Sequence, residues 1–148
     1  MERARGGTKL EFALVVVIFG ILATVLLNRL QAIEADAERT EVELTVRNIR
    51  VGVQLAIGER IMRGEEARIA EVAAASPVDF LGRLPRNFND GSLPPQPGQW
   101  SWDASRRELG YLPRLPEAFG DATELRWRYV ARVDPAGRTV GVALLARN

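Results

Sequence analysis

Few residues in this 148-residue chain are equipped to make or break bonds. It has no Cys and no His, which removes thiol nucleophiles, imidazole bases, disulfides and the zinc sites built from those ligands. What remains is Lys9, the only lysine, four Ser residues, and carboxylates scattered among Arg as on a solvated surface. This inventory predicts a chain that is not an enzyme, with no catalytic residue, no cofactor and no metal. One carboxylate is out of place. Glu11 sits in the apolar run 10–27, LEFALVVVIFGILATVLL, where an unpaired carboxylate costs on the order of 2–3 kcal/mol if it lies deep. Either it rests at headgroup level near Lys9 without a role, or it meets a positive charge in a dry place. The available chemistry is therefore charge pairing and recognition.

The element that positions Glu11 is an eighteen-residue run with one charge. As a helix it is about 27 Å long, close to the thickness of a bilayer core. Cleavable secretion signals carry shorter runs, roughly 7–15 residues, followed by a small-x-small site. Here Asn28-Arg29-Leu30-Gln31 follows instead. Arg3, Arg5 and Lys9 precede the run, so the positive-inside rule puts the N-terminus in the cytoplasm and the rest of the chain across the membrane.

Gly6-Gly7-Thr8-Lys9-Leu10-Glu11-Phe12, followed by an apolar run containing Gly20-Ile21-Leu22-Ala23, resembles the N-terminus of type IV pilins and type II secretion pseudopilins over about thirty residues. The resemblance implies a prepilin peptidase that cuts after a Gly and methylates the new N-terminus, with a Glu at the fifth mature position. Counting back from Glu11 places the cut between Gly6 and Gly7, with Gly7 the methylated residue and Glu11 the assembly carboxylate. A cut after Gly7 would leave Glu11 one place early. The chain departs from the family pattern at Gly7, where Phe or Met is usual, at Lys9, normally apolar, and at Asn28, where many pilins have a bending Pro. Lys9 can carry its ammonium to the interface at small cost, and Gly20 remains a weak point in the helix.

Beyond the apolar run, Leu30, Ile33, Ala37, Val42, Val46, Ile49, Val53, Ala56 and Ile57 recur by threes and fours, which predicts one long helix to about Arg63, stopped by Gly64. Gly52 and Gly58 lie within it. The acidic stretch from Glu34 through Asp36, Glu38 and Glu41 to Glu43 reads as a solvated face, or as a surface for basic groups of neighbouring subunits. A second short helix is expected over 65–75, closed by Ser76-Pro77. Seven of the eight prolines fall between Pro77 and Pro116, which predicts mostly loop.

Two hairpins follow: Gln99-Trp100-Ser101-Trp102-Asp103 and Leu109-Gly110-Tyr111-Leu112 around a polar turn 104–108, then 125–133 and 139–146 around Asp134-Pro135-Ala136-Gly137. The W-x-W-D and L-x-Y pattern also resembles the first hairpin of small pseudopilin heads. Leu125, Trp127, Tyr129 and Val133 are expected on the face packed against the helix, and Arg126, Arg128 and Arg132 on the other, as solvated surface or as a partner face. The fold expected is α+β: a long N-terminal helix on a small antiparallel sheet of about four strands. Its parts are a leader 1–6, a membrane or filament-core helix 7–29, its amphipathic continuation 30–64, and a head 65–148.

The resemblance implies a structural subunit, a pseudopilin or minor pilin, anchored once in the bacterial inner membrane with a periplasmic head, then built into a periplasmic or surface filament. Its partners would be prepilin peptidase, other pilin or pseudopilin subunits, an inner-membrane assembly platform and membrane lipid. The alternative is a permanently anchored periplasmic scaffold or binding module, with polyanion binding through the Arg face. A formal net charge of +1 speaks against nucleic acid as a partner. Major pseudopilins often bind calcium in a C-terminal loop, but Asp121 and Asp134 lack the clustered oxygen ligands such a site needs.

Overall fold

The computed structural model describes residues 5–147, with side chains from residue 9 onward. The first four residues of the expected leader lie outside the described residues. The chain divides between Ala37 and Glu38 into two units. Helix α1, Arg5–Met62, contributes to both.

In the first unit the helix carries its apolar residues outward. Leu10, Phe12, Phe19, Leu26 and Leu27 are each at least 60% exposed. This is one helix long and apolar enough to cross a membrane, near the N-terminus, and no part of its apolar window is buried within the chain. Apolar surface of this extent exceeds what a soluble monomer normally leaves in water. Helical geometry continues through Gly20 and Asn28, and the Thr24 hydroxyl donates to the Gly20 carbonyl at 2.8 Å.

The second unit holds the core and combines the C-terminal part of α1 with all that follows it. α1 contributes Val42, Val46, Ile49 and Val53, spaced four, three and four so that they share one stripe, and all four are buried. They join Val72, Val78, Trp100, Leu109, Tyr111, Trp127, Tyr129 and Leu144 in one core. Gly64 ends the helix as expected. In a left-handed conformation (φ 70°), it donates to the Ile61 carbonyl, while the next amide, Glu65, donates to the Arg60 carbonyl. These paired bonds are the usual glycine C-cap. A 3-10 turn, Glu66–Arg68, leads into a short helix α2, Ile69–Ala74. Pro77 opens a further 3-10 turn, Pro77–Phe80.

The sheet has five strands in sequence order: β1 Phe88–Asn89, β2 Gln99–Asp103, β3 Glu108–Leu112, β4 Leu125–Val133 and β5 Thr139–Arg147. β2 to β5 are antiparallel neighbours, as expected, whereas β1 runs parallel to β2 and makes the sheet mixed. Two residues inside a proline-rich segment are too short for any periodicity to announce. β2 and β3 put Trp100 opposite Tyr111, with ring centroids 4.8 Å apart, and Trp127 of β4 lies 5.5 Å from Trp100. The aromatic stripe is core.

One residue of β4 departs from the expected burial. Trp127 and Tyr129 are buried and Leu125 packs against the core, but Val133 is 62% exposed. A bulge shifts the β4–β5 register there, with Val140 of β5 as the extra residue, so the alternation along β4 is unbroken and Val133 is exposed as the last residue of its strand.

Gly52 marks a close approach. A Cβ there would lie 2.2 Å from the Phe80 carbonyl oxygen, so only glycine lets the Pro77–Phe80 turn press against α1. At Gly58 a Cβ would meet nothing within 4 Å.

Candidate functional site

Three groups of residues stand out. The first is N-terminal. Gly6 and Gly7 lie in the opening turns of α1, and Glu11 follows one turn later with its side chain exposed. Among the described residues, neither Glu11 nor Lys9 forms an ion pair. They are two apart on a helix, and side chains at that spacing do not face each other.

The second group centres on Glu38, the first fully buried side chain along α1, at 1% exposure. Its place in the acidic stretch led us to expect a solvated position, and the structure corrects this. Glu38 lies four residues before Val42 on the stripe that faces the sheet, so burial follows from helical phase. Three donors converge on its carboxylate: the Tyr111 hydroxyl at 2.7 Å, the Arg114 amide at 2.7 Å and the Leu115 amide at 3.0 Å. The Arg114 guanidinium lies 3.7 Å away and also reaches Glu41 at 3.5 Å. Burial, then the bond to Glu38, push the Tyr111 phenol well above its ordinary range. A buried carboxylate held by three donors and a cation is a satisfied structural pin.

The third group lies on the sheet face away from α1. Glu108 is expected in a polar turn, yet it is the first residue of β3 and 3% exposed. Arg147 reaches its carboxylate at 2.6 Å, Arg128 at 3.4 Å and Arg126 at 3.5 Å. Arg126 also pairs with Glu124 at 2.7 Å. Burial raises the Glu108 carboxyl, but the hydrogen bonds and charges of Arg147 and Arg128 outweigh it and hold the group below the usual range. Strand register explains the cluster: Glu108 stands opposite Arg128, and Arg126 opposite Arg147. Gly110 belongs to the same face, where a Cβ would come within 2.9 Å of the Ser101 hydroxyl oxygen.

Of the three arginines expected on the face away from the helix, as solvated surface or as a partner face, Arg126 and Arg128 are thus joined through Glu108. Arg132 is set apart and lines a cavity with Arg50 of α1. Asp134 is engaged by Arg138, which bonds both of its carboxylate oxygens at 2.9 Å through its amide and guanidinium. Among the described residues, no group of three or more His, Cys, Asp or Glu is placed to hold a metal ion.

No protein-family model, no curated protein and no solved structure matches this chain. What the chain shows by itself is an α+β protein whose long N-terminal helix is packed on a five-stranded mixed sheet and is apolar enough at its start to cross a membrane.

Proposed function

We propose that this chain is a structural subunit, of the pseudopilin or minor-pilin kind, of a type II secretion or type IV pilus-like filament. One observation carries the reading: a lone carboxylate, Glu11, the fifth residue counting from Gly7, stands in an exposed apolar helix and lacks a charge partner among the described residues.

A prepilin peptidase cuts between Gly6 and Gly7 on the cytoplasmic side and methylates the new amine of Gly7. The helix then leaves lipid and packs with those of its neighbours, helped by an inner-membrane assembly platform. In that dry bundle an unpaired carboxylate is expensive. The amine at Gly7 of an adjacent subunit supplies the missing positive charge. Such a pair adds little affinity, but sliding the subunits would strand two buried charges, so it fixes axial register. The head is displayed on the far side of the membrane, and the protein catalyses nothing.

The test is Glu11→Ala in the full-length chain. We expect normal processing and poor incorporation into filaments recovered by pull-down, because the change touches register and leaves insertion intact. Normal incorporation would contradict the reading. Gly6→Val is expected to block cleavage. The polyanion-binding alternative draws on Arg126, Arg128 and Arg132. With two of these already paired to Glu108, it has less positive charge to offer than the sequence pattern implies.

A further inference from the structure

β5 is the outer strand of the sheet, with α2 packed against part of it. Between Thr139 and Ala146 it carries no charged residue and no proline, two of the devices by which natural edges discourage pairing; the bulge at Val140 and the terminal Arg147 confine the unprotected stretch to 141–146. The register shows which backbone groups face outward. The Tyr129 amide donates to the Arg107 carbonyl, so Tyr129 turns its backbone towards β3. Its β5 partner Leu144 must then turn its own backbone away from β4. The Leu144 carbonyl does so, accepting a bond from the Arg50 guanidinium at 3.0 Å. By alternation Val142 and Ala146 also face outward, and no hydrogen bond from outside the sheet reaches their backbone among the described residues.

Beside this edge runs a cavity of about 300 Å³ between α1 and β5. Ile49, Val53, Val142 and Leu144 give it an apolar floor, and Arg50 and Arg132 supply its charge. No acidic residue lines it. Both arginines are exposed, and Arg132 forms no ion pair among the described residues. Arg50 spends one donor on Leu144, and a guanidinium has five.

We propose that this groove takes an extended, carboxylate-bearing segment of a partner protein, added to β5 as a sixth strand. Its backbone pairs with the outward groups of Val142 and Ala146, its apolar side chains fill the floor, and its carboxylates meet Arg50 and Arg132. Backbone pairing supplies affinity in this mode, and pockets and charges supply specificity. The proposal does not rest on filament assembly.

The experiment uses the full-length chain in detergent micelles and a fluorescein-labelled decapeptide of alternating valine and threonine ending in two glutamates. Two control peptides carry glutamine or lysine in place of the glutamates. We expect saturable binding of the acidic peptide, at least tenfold tighter than that of the lysine peptide, with slowed amide exchange at Val142 and Ala146. Arg50→Gln with Arg132→Gln should weaken it tenfold or more. Both side chains are exposed, so the fold should be retained, with circular dichroism as the check. Ala146→Pro removes an outward donor without touching the β4 ladder and should also weaken binding. Equal binding of all three peptides, or none, would overturn the proposal. So would tighter binding to Arg50→Gln, which would make Arg50 a guard of the edge. Dimerisation through β5 without peptide would assign the edge to a second copy and overturn it equally.

Discussion

The Tyr111 hydroxyl donates to Glu38 at 2.7 Å, joining the third strand of the sheet to a helix seventy-three residues away in sequence. The amides of Arg114 and Leu115 complete the cradle. Helix and sheet therefore meet through a charged hydrogen-bond network as well as through the Val42, Val46, Ile49 and Val53 stripe. The apolar contact supplies most of the adhesion, while the network fixes which turn of the helix meets which strand.

Removing that carboxylate should be costly. Glu38→Ala leaves a buried hydroxyl and two amides without acceptors, and we expect a loss of about 3 kcal/mol in the chemical denaturation of the head. Tyr111→Phe removes one donor and should cost about 1 kcal/mol. A double-mutant cycle should show strong coupling between the two, and simple additivity would mean that they do not act together.

Gly52 and Gly58 share one helix and should respond in opposite directions. At Gly52 the gain in helix propensity is outweighed by collision with the Phe80 carbonyl, so Gly52→Ala should destabilise by about 1–2 kcal/mol. At Gly58 a methyl group meets open space, so Gly58→Ala should stabilise by up to about 1 kcal/mol. Thermal melts of the two variants side by side decide the point.

The same helix shows what can be read from sequence. Its stripe of Val42, Val46, Ile49 and Val53 and its stop at Gly64 follow from spacing and residue type alone. The burial of Glu38 follows from the same spacing once the stripe is extended back one turn, but residue chemistry points the other way, and only the donors from Tyr111, Arg114 and Leu115 reverse it. Glu108 is harder. Its partners Arg126, Arg128 and Arg147 come from two other strands, and no local pattern predicts that they converge. Val133 is exposed although it shares the parity of Trp127 and Tyr129, because a period-two pattern gives the side of a strand and not how far the core extends along it, and the two residues of β1 are too few to show a period.

The pH dependence of stability should carry the mark of Glu108 and of the buried phenols. The Glu108 carboxyl is held below its ordinary value of 4.5 in the folded protein. Its contribution is therefore present above that value and lost as pH falls through the lower, folded one. Urea midpoints should drop with acid below about pH 4.5, less steeply in Glu108→Gln. At the alkaline end, burial pushes the Tyr129 phenol up to about 12. The stability tied to its neutral form should fade between about pH 10 and 12, and Tyr129→Phe should flatten that limb. Unchanged acid and alkaline limbs in these variants would rule both groups out as the cause.

The fresh amine at Gly7, meeting Glu11 of a neighbour, is the centre of the functional account, and the intact mass of the purified full-length product tests it most directly. From a host with an active prepilin peptidase, the mass should match a chain that has lost Met1 to Gly6 and gained one methyl group. From a host lacking the enzyme, those six residues should remain. A chain that keeps its first six residues in both hosts would never present that amine, and the filament account would fail.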